Sequence, residues 1–245
     1  MAISSPPPVG KPLLALECAT LCGSVALVSN GRCLAEYSLD VPTTHSQRLL
    51  KQLERIREDV GVAWPELAGL AVSLGPGSFT GLRIGLSMAK GLALAVGLPL
   101  LGVSTLDGLA RQVVAPPTTK ICALLDARKQ EVYAALYECG ENGLPLRRGA
   151  NLLLRPELLA EQLTEQLTGP IILVGDGGVT YREIFWDKLG LTAIFAPPTN
   201  YFPRAATIGL IGEELLARGE LLDPAGSVPI YVRASEAEIN LHKKG

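Results

Sequence analysis

The chain has 245 residues, 48% of them hydrophobic, with 22 Lys and Arg against 24 Asp and Glu, a net charge of −2. That length allows one large domain or two small lobes, each with a core, and the acidic balance speaks against a protein that grips a phosphate backbone unaided. Five cysteines (Cys18, Cys22, Cys33, Cys122, Cys139) are an odd number with no Cys-x-x-Cys pair; they read as reduced core thiols of a cytosolic protein and leave zinc without clustered ligands.

Residues 1–12 are Pro-rich and read as a disordered lead. Two segments imitate membrane signals. Residues 13–28 resemble a signal peptide but carry Glu17 in the middle, and residues 79–101 approach spanning length but hold Arg83, Lys90, several glycines and Pro99. Neither is kept, so the expected location is the cytoplasm, without a membrane partner.

Strand patterns come at Leu13–Cys18, Ser24–Ser29 and Arg32–Leu39, and Asn30-Gly31 is a strong two-residue hairpin signal. Thr43 or Thr44 can cap a helix running to about Asp59, with Leu49, Leu53, Ile56 and Val60 on one apolar face. Arg48, Lys51 and Arg55 lie on another face, which reads as solvated. The apolar run 70–74 leads through Gly75-Pro76-Gly77 into a helix over 79–96 with almost no polar side. Gly77, Gly81, Gly85, Ala89 and Ala93 recur every fourth residue, and only Thr80, Arg83, Ser87 and Lys90 make a narrow polar stripe. A helix apolar nearly all round is normally buried, by its own domain or by a partner. A strand at 100–103 and a helix begun by Ser104 or Thr105 complete a first lobe over 13–112.

A hinge is expected at 115–119 and a second lobe over 118–222. That lobe opens with a hairpin, Ile121–Leu125 and Glu131–Tyr137 around a turn at Asp126–Gln130. A Gly-rich turn at 140–143, a strand at Leu152–Leu154, a helix near Pro156–Leu167 and a buried strand at Ile171–Val174 follow, then Gly175-Asp176-Gly177-Gly178. A helix over 205–217 could pack back on the first lobe, and 223–245 is an irregular tail. Three antiparallel strands followed by helix-connected ones point to an α/β fold with mixed sheets flanked by helices. No repeat is visible at the level of residues.

The turn at 75–81 is not a phosphate loop. Leu82 stands where a P-loop needs Lys, and Thr80 stands at the third glycine of the dinucleotide pattern; Ser78 is more simply a helix cap. Glu17, a lone acid in an apolar strand, could hold a metal-bound nucleotide or cap the turn at 18–23. Gly175, Gly177 and Gly178 could cradle an adenosine or form an ordinary strand-to-helix turn. Together they keep an ATP-using phosphotransferase open as an alternative. His45 and His242 are the two histidines, with no metal-ligand pair and no nucleophile elbow, so a metallopeptidase is a poor alternative and His45 reads as a helix-start or interface residue. Asp126, Arg128 and Glu131 around the hairpin turn read as local ion pairs, with a role in orienting lobes or a partner as the sharper alternative.

Seven segments, in order, carry a family resemblance: Leu-Ala-Leu-Glu-Cys-Ala-Thr (14–20) with Gly-Ser-Val-Ala-Leu (23–27), His-Ser-Gln-Arg-Leu-Leu (45–50), Gly-Pro-Gly-Ser-Phe-Thr-Gly-Leu-Arg-Ile-Gly (75–85), Gly-Val-Ser-Thr-Leu (102–106), Asp-Ala-Arg-x-x-Glu-Val-Tyr (126–133) and Pro-Ile-Tyr-Val-Arg (229–233). On these the chain resembles the bacterial TsaB (YeaZ) family; 75–106 is the most specific block and 140–225 matches only in outline. The resemblance implies an actin-like, Hsp70-like (ASKHA) two-lobed fold with a reduced second lobe. It implies a part in making N6-threonylcarbamoyladenosine beside the anticodon of tRNAs that read codons starting with A. It also implies a division of labour: TsaC makes threonylcarbamoyl-AMP, the paralogue TsaD transfers it and holds the metal, and TsaE is an ATPase that joins the pair. The family member itself is a non-catalytic partner, so no cofactor is expected on this chain, and ATP and metal belong to the partner subunits. The chain departs from the family at Glu17, where Asp is usual, and in its Pro-rich lead.

The expected role is therefore a scaffold. Its helices over 45–59 and 79–96 would meet the paralogue's equivalent helices. His45, Leu49, Leu53, Leu82, Leu86 and Met88 would make contact, with Gly81, Gly85 and Ala89 allowing close approach. Alone, the same face could pair with itself in a homodimer. tRNA would be reached only through the complex, with Arg48, Lys51, Arg55 or Lys243-Lys244 as phosphate contacts.

Overall fold

The computed structural model describes residues 10–40, 45–166 and 169–232. Most of the expected lead, the Thr43 and Thr44 caps and residues His242, Lys243 and Lys244 lie outside the described residues, as do the side chains of 45–48. In chain order the elements are β1 (Leu13–Glu17), β2 (Gly23–Ser29), β3 (Arg32–Leu39), α1 (His45–Val60), β4 (Gly69–Gly75), α2 (Phe79–Val96), β5 (Leu100–Ser104) and α3 (Thr105–Ala110). Then come β6 (Lys120–Asp126), β7 (Val132–Cys139), β8 (Pro145–Leu154), α4 (Pro156–Gln166), β9 (Ile171–Val174), α5 (Asp176–Thr180), α6 (Arg182–Leu189), β10 (Ala193–Phe195) and α7 (Ala205–Ala217).

Two compact units result. Among the described residues, the first takes those up to Leu74, then Gly81–Val103 and Arg204–Val228; the second takes Gly75–Thr80, those within Ser104–Pro203 and residues 229–232. The division thus falls between Val103 and Ser104 rather than at 112–118. The reason is a reciprocal excursion of two helices: α3 follows β5 in the chain but packs on β6 and β7, whereas α7 follows β10 but packs on β1 and β2.

In the first unit the strand order is β3-β2-β1-β4-β5. β1, β2 and β3 are antiparallel, and β4 joins β1 in parallel. β1, β2 and β4 are buried along their whole length, which is why they read as near-continuous apolar runs rather than alternating ones. The period of two still sorts their side chains. Leu14, Leu16, Val25 and Leu27 meet α1 and α2, while Leu13, Ala15, Ala26 and Val28 meet α7. The β2–β3 turn has Asn30 at φ 53 and Gly31 at φ 71, and their N–H groups donate to the two carboxylate oxygens of Glu213 on α7, at 2.8 and 2.9 Å. The start of α7 has no side-chain cap of its own. The sheet supplies one: Ala205 N–H donates to Ser24 Oγ at 2.9 Å, and Ala206 N–H to Glu36 Oε1 at 3.0 Å, satisfying donors that the first turn of a helix leaves open. After α7 the chain returns along the sheet edge, where Leu222 N–H donates to Leu100 O at 2.8 Å and Lys90 Nζ donates to Ser227 O at 2.6 Å.

The second unit repeats the plan. Its order is β10-β9-β6-β7-β8, with β6, β7 and β8 antiparallel and β9 parallel to β6. α3 covers one face and α4 and α6 the other. The repetition lies in topology, in a chain whose residues show no repeat. Three features depart from the expected elements. β8 spans ten residues, not three, because its exposed first half is held by pairing with β7 rather than by apolar burial. The stretch after Gly175 is helical, α5 and then α6. β10 adds a short edge strand.

Candidate functional site

α2 was expected to present its small-residue row to a partner, and the structure corrects this. Gly81, Gly85, Ala89 and Ala93 are buried together with Leu82 and Leu86. A Cβ on Gly85 would stand 3.2 Å from Cys18 Cβ and 3.3 Å from Cys18 Sγ. The row exists so that α2 can lie close on its own sheet. Leu49 and Leu53 of α1 are sealed in the same core, so Gly81, Leu82, Gly85, Leu86, Ala89, Leu49 and Leu53 are all unavailable for docking. Met88 is half-buried against that core, and the His45 side chain lies outside the described residues.

The opposite side of α2 is open. Arg83, Ser87, Gly91, Leu94 and Ala95 are exposed, with Ile84 and Met88 at its border. Leu94 is 84% exposed, and Leu50 on α1 is 48% exposed. Ser87, Gly91 and Ala95 stand four residues apart and so share one face, and a Cβ on Gly91 would meet nothing within 4 Å. α2 therefore has two small-residue rows, one spent on the sheet and one facing outward. By length and composition α2 could cross a membrane, yet a third of it is buried inside the structure.

Glu17 is wholly buried at the end of β1. Its Oε1 accepts the Ala19 N–H at 2.5 Å, and the Ser73 hydroxyl of β4 and the Cys18 N–H also act on the carboxyl, pulling its pKa down. Burial pushes the carboxyl up to about 7, against the downward pull of the Ala19 N–H. Gly175, Gly177 and Gly178 belong to the other unit. Gly175 sits at φ 114, and a Cβ there would fall 2.0 Å from Leu124 O; one on Gly177 would fall 3.0 Å from the Leu125 carbonyl carbon. These two glycines let the start of α5 press against the backbone of β6. Gly178 makes only ordinary contacts, at 3.6 Å. Between them, Asp176 Oδ1 accepts the Asp126 N–H at 3.0 Å, and burial pushes Asp176 up to about 6. Gly175 and Gly177 serve the packing of their own unit.

The β6–β7 turn gathers Asp126, Arg128 and Glu131. Asp126 Oδ2 pairs with Arg128 Nη1 at 3.1 Å, and Asp126 Oδ1 accepts the Arg128 N–H at 2.9 Å and the Tyr181 hydroxyl at 3.1 Å. Arg128, Lys129 and Gln130 have φ of 61, 53 and 58, an uncommon run for residues other than glycine. No group of three His, Cys, Asp or Glu that could hold a metal occurs among the described residues.

The outward residues Gly91, Leu94 and Ala95 escaped the sequence reading. Their signal was present, since they share a face with the polar stripe Thr80, Arg83 and Ser87, which marks the side turned from the core.

Comparison with known proteins now bears on these features. Residues 40–241 match the family described as TsaD, tRNA N6-adenosine threonylcarbamoyltransferase. The chain is 34% identical over 228 residues to the tRNA threonylcarbamoyladenosine biosynthesis protein TsaB of Escherichia coli K12, covering 92% of this chain and 96% of that protein. The solved structure of YeaZ from Pseudomonas aeruginosa matches with a TM-score of 0.75 at 29% identity, over 91% of this chain and all of that one. A ROK hexokinase from Thermus thermophilus matches with a TM-score of 0.52 at 12% identity, over 84% and 99% of the two chains; it shares the fold alone, two mixed sheets flanked by helices.

Proposed function

Since the chain belongs to the TsaB (YeaZ) family, within the wider TsaD family, and so acts in forming N6-threonylcarbamoyladenosine in tRNA, we propose that it does so as a non-catalytic partner of the TsaD transferase. The observation that supports this reading most is the outward face of α2. A helix that already buries one small-residue row keeps a second, with Leu94 beside it in water. Small and apolar residues gathered on one exposed helix face fit an interaction site. The paralogue's equivalent helix lies against Ser87, Gly91 and Ala95, and Leu50, Ile84, Met88 and Leu94 lose water at the contact. Each Å² of apolar surface so covered is worth about 25 cal/mol before the costs of association.

On this reading the chemistry takes place on TsaD, with ATP handled by TsaE, and this chain needs neither nucleotide nor metal. It works in the cytoplasm and reaches tRNA through the complex. Without its paralogue, the same face closes on a second copy of the chain. The test is co-purification with the paralogue, then in vitro tRNA modification with the chain present and omitted. Modification should need the chain, and the chain alone should form no product. Full modification without it, or turnover by it alone, would refute the reading.

A further inference from the structure

The chain after α7, residues 219–228, belongs to neither a helix nor a strand, yet it is fixed to the first unit at several points. Leu222 N–H donates to Leu100 O at 2.8 Å. The Leu222 side chain packs against the core to which α2 contributes Leu86, Ala89 and Ala93. Asp223 then closes a turn. Its carboxylate accepts the Ala225 and Gly226 N–H groups at 3.0 and 2.8 Å, and its carbonyl accepts the Ser227 N–H at 3.1 Å. Those two amides, and behind them the Lys90 charge, hold the Asp223 carboxyl below its usual range. Past the turn, Lys90 Nζ of α2 donates to Ser227 O at 2.6 Å.

This fixed path carries apolar side chains into water. While Leu222 turns inward, Leu221 is 55% exposed and Val228 is 70% exposed. Single apolar residues on a surface call for no explanation, but these two stand next to the segment's anchors on α2 and β5. Lys90 and Leu94 are one turn apart and share a side of α2. The anchors, Lys90 and Leu100, lie before and after Leu94 along the chain. The segment therefore borders the outward side of α2 that holds Leu94. A stable interface takes about 20–30 residues a side, more than the outward residues of one 18-residue helix supply. Resting on the reading that the outward face of α2 docks the TsaD paralogue, we infer that the docking surface continues onto the 219–228 segment, where the same partner covers Leu221 and Val228. Because hydrogen bonds already hold the segment in place, little ordering is required of it on binding.

The test uses the full chain and its TsaD paralogue. In the unaltered complex, the backbone amides of 220–228 should exchange with deuterium more slowly than in the free chain; equal exchange would overturn the inference. The double variant Leu221→Asp, Val228→Asp should weaken the complex about tenfold by titration, with melting within about 2 °C of the parent. The double variant Leu158→Asp, Leu191→Asp puts the same two charges on exposed residues of the second unit and should leave affinity unchanged. An equal loss there would make the effect one of net charge and overturn the inference. If Leu94→Asp weakens binding while Leu221→Asp, Val228→Asp binds as the parent does, the surface stops at α2, and the inference fails with the docking reading intact. If Leu94→Asp binds as tightly as the parent, or the unaltered chain forms no complex, the docking reading fails first, and the inference falls with it.

Discussion

The two units share a strand order and differ in what their fourth strand leads into. In the first, β4 enters α2, 18 residues long, with one small-residue row on the sheet and another facing out. In the second, β9 enters the Gly175–Gly178 stretch and two short helices, and α6 buries only Phe185 and Leu189. Small residues serve both places, but in the second unit they are used up against β6. In the first unit α2 keeps exposed small and apolar residues, Gly91, Leu94 and Ala95, on its outward side, and the proposed docking uses that side.

Substitutions can break this comparison in order of size. Gly175→Ala should cost most, about 4 kcal/mol or more, because a Cβ would collide with Leu124 O and the backbone sits at φ 114; soluble yield and thermal melting will show it. Gly85→Leu should cost about 3 kcal/mol by forcing α2 off Cys18. Gly91→Leu, on the outward row of the same helix, should stay within about 0.5 kcal/mol of the parent in the same melting experiment. Equal losses at Gly85 and Gly91 would erase the distinction between the two rows.

Glu17 gives a pH signature. Its folded-state carboxyl is raised from 4.5 to about 7, so the folded chain favours the neutral form. That contribution is complete below about pH 4.5 and is lost as pH rises through about 7, on the order of 3 kcal/mol in all. Denaturant melts of Glu17→Gln across this window should lack that decline relative to the parent. A smaller loss than at Gly175, Gly85 or Glu17 is expected at the α7 cap: Ser24→Ala removes the acceptor of the Ala205 N–H and should cost about 1 kcal/mol in a denaturant melt.

Much of the first unit was legible because its signals are local. Asn30-Gly31 names its own turn, β1 and β4 are unbroken apolar runs, and the four-residue recurrence in α2 names a helix face. What local signals cannot name is the neighbour. Gly81, Gly85 and Ala89 have the same spacing as Ser87, Gly91 and Ala95, and only the polar stripe tells which row meets the sheet. The first half of β8, with Arg147, Arg148 and Gly149, has no apolar alternation; its pairing with β7 makes it a strand. The matched strand orders of the two units were hidden for the same reason, since β1 meets β4, and β6 meets β9, across long stretches of chain. At the glycine turn the residue types suggested a cradle, and contact distances to β6 give them a packing role.

The most direct test of the docking assignment is the affinity of a Leu94→Asp chain for the TsaD paralogue, measured by titration beside its melting curve. A charge placed on an exposed residue should leave melting within about 2 °C of the parent while weakening the complex at least about tenfold. Equal affinity of the two chains would contradict the claim that α2 docks through its outward face.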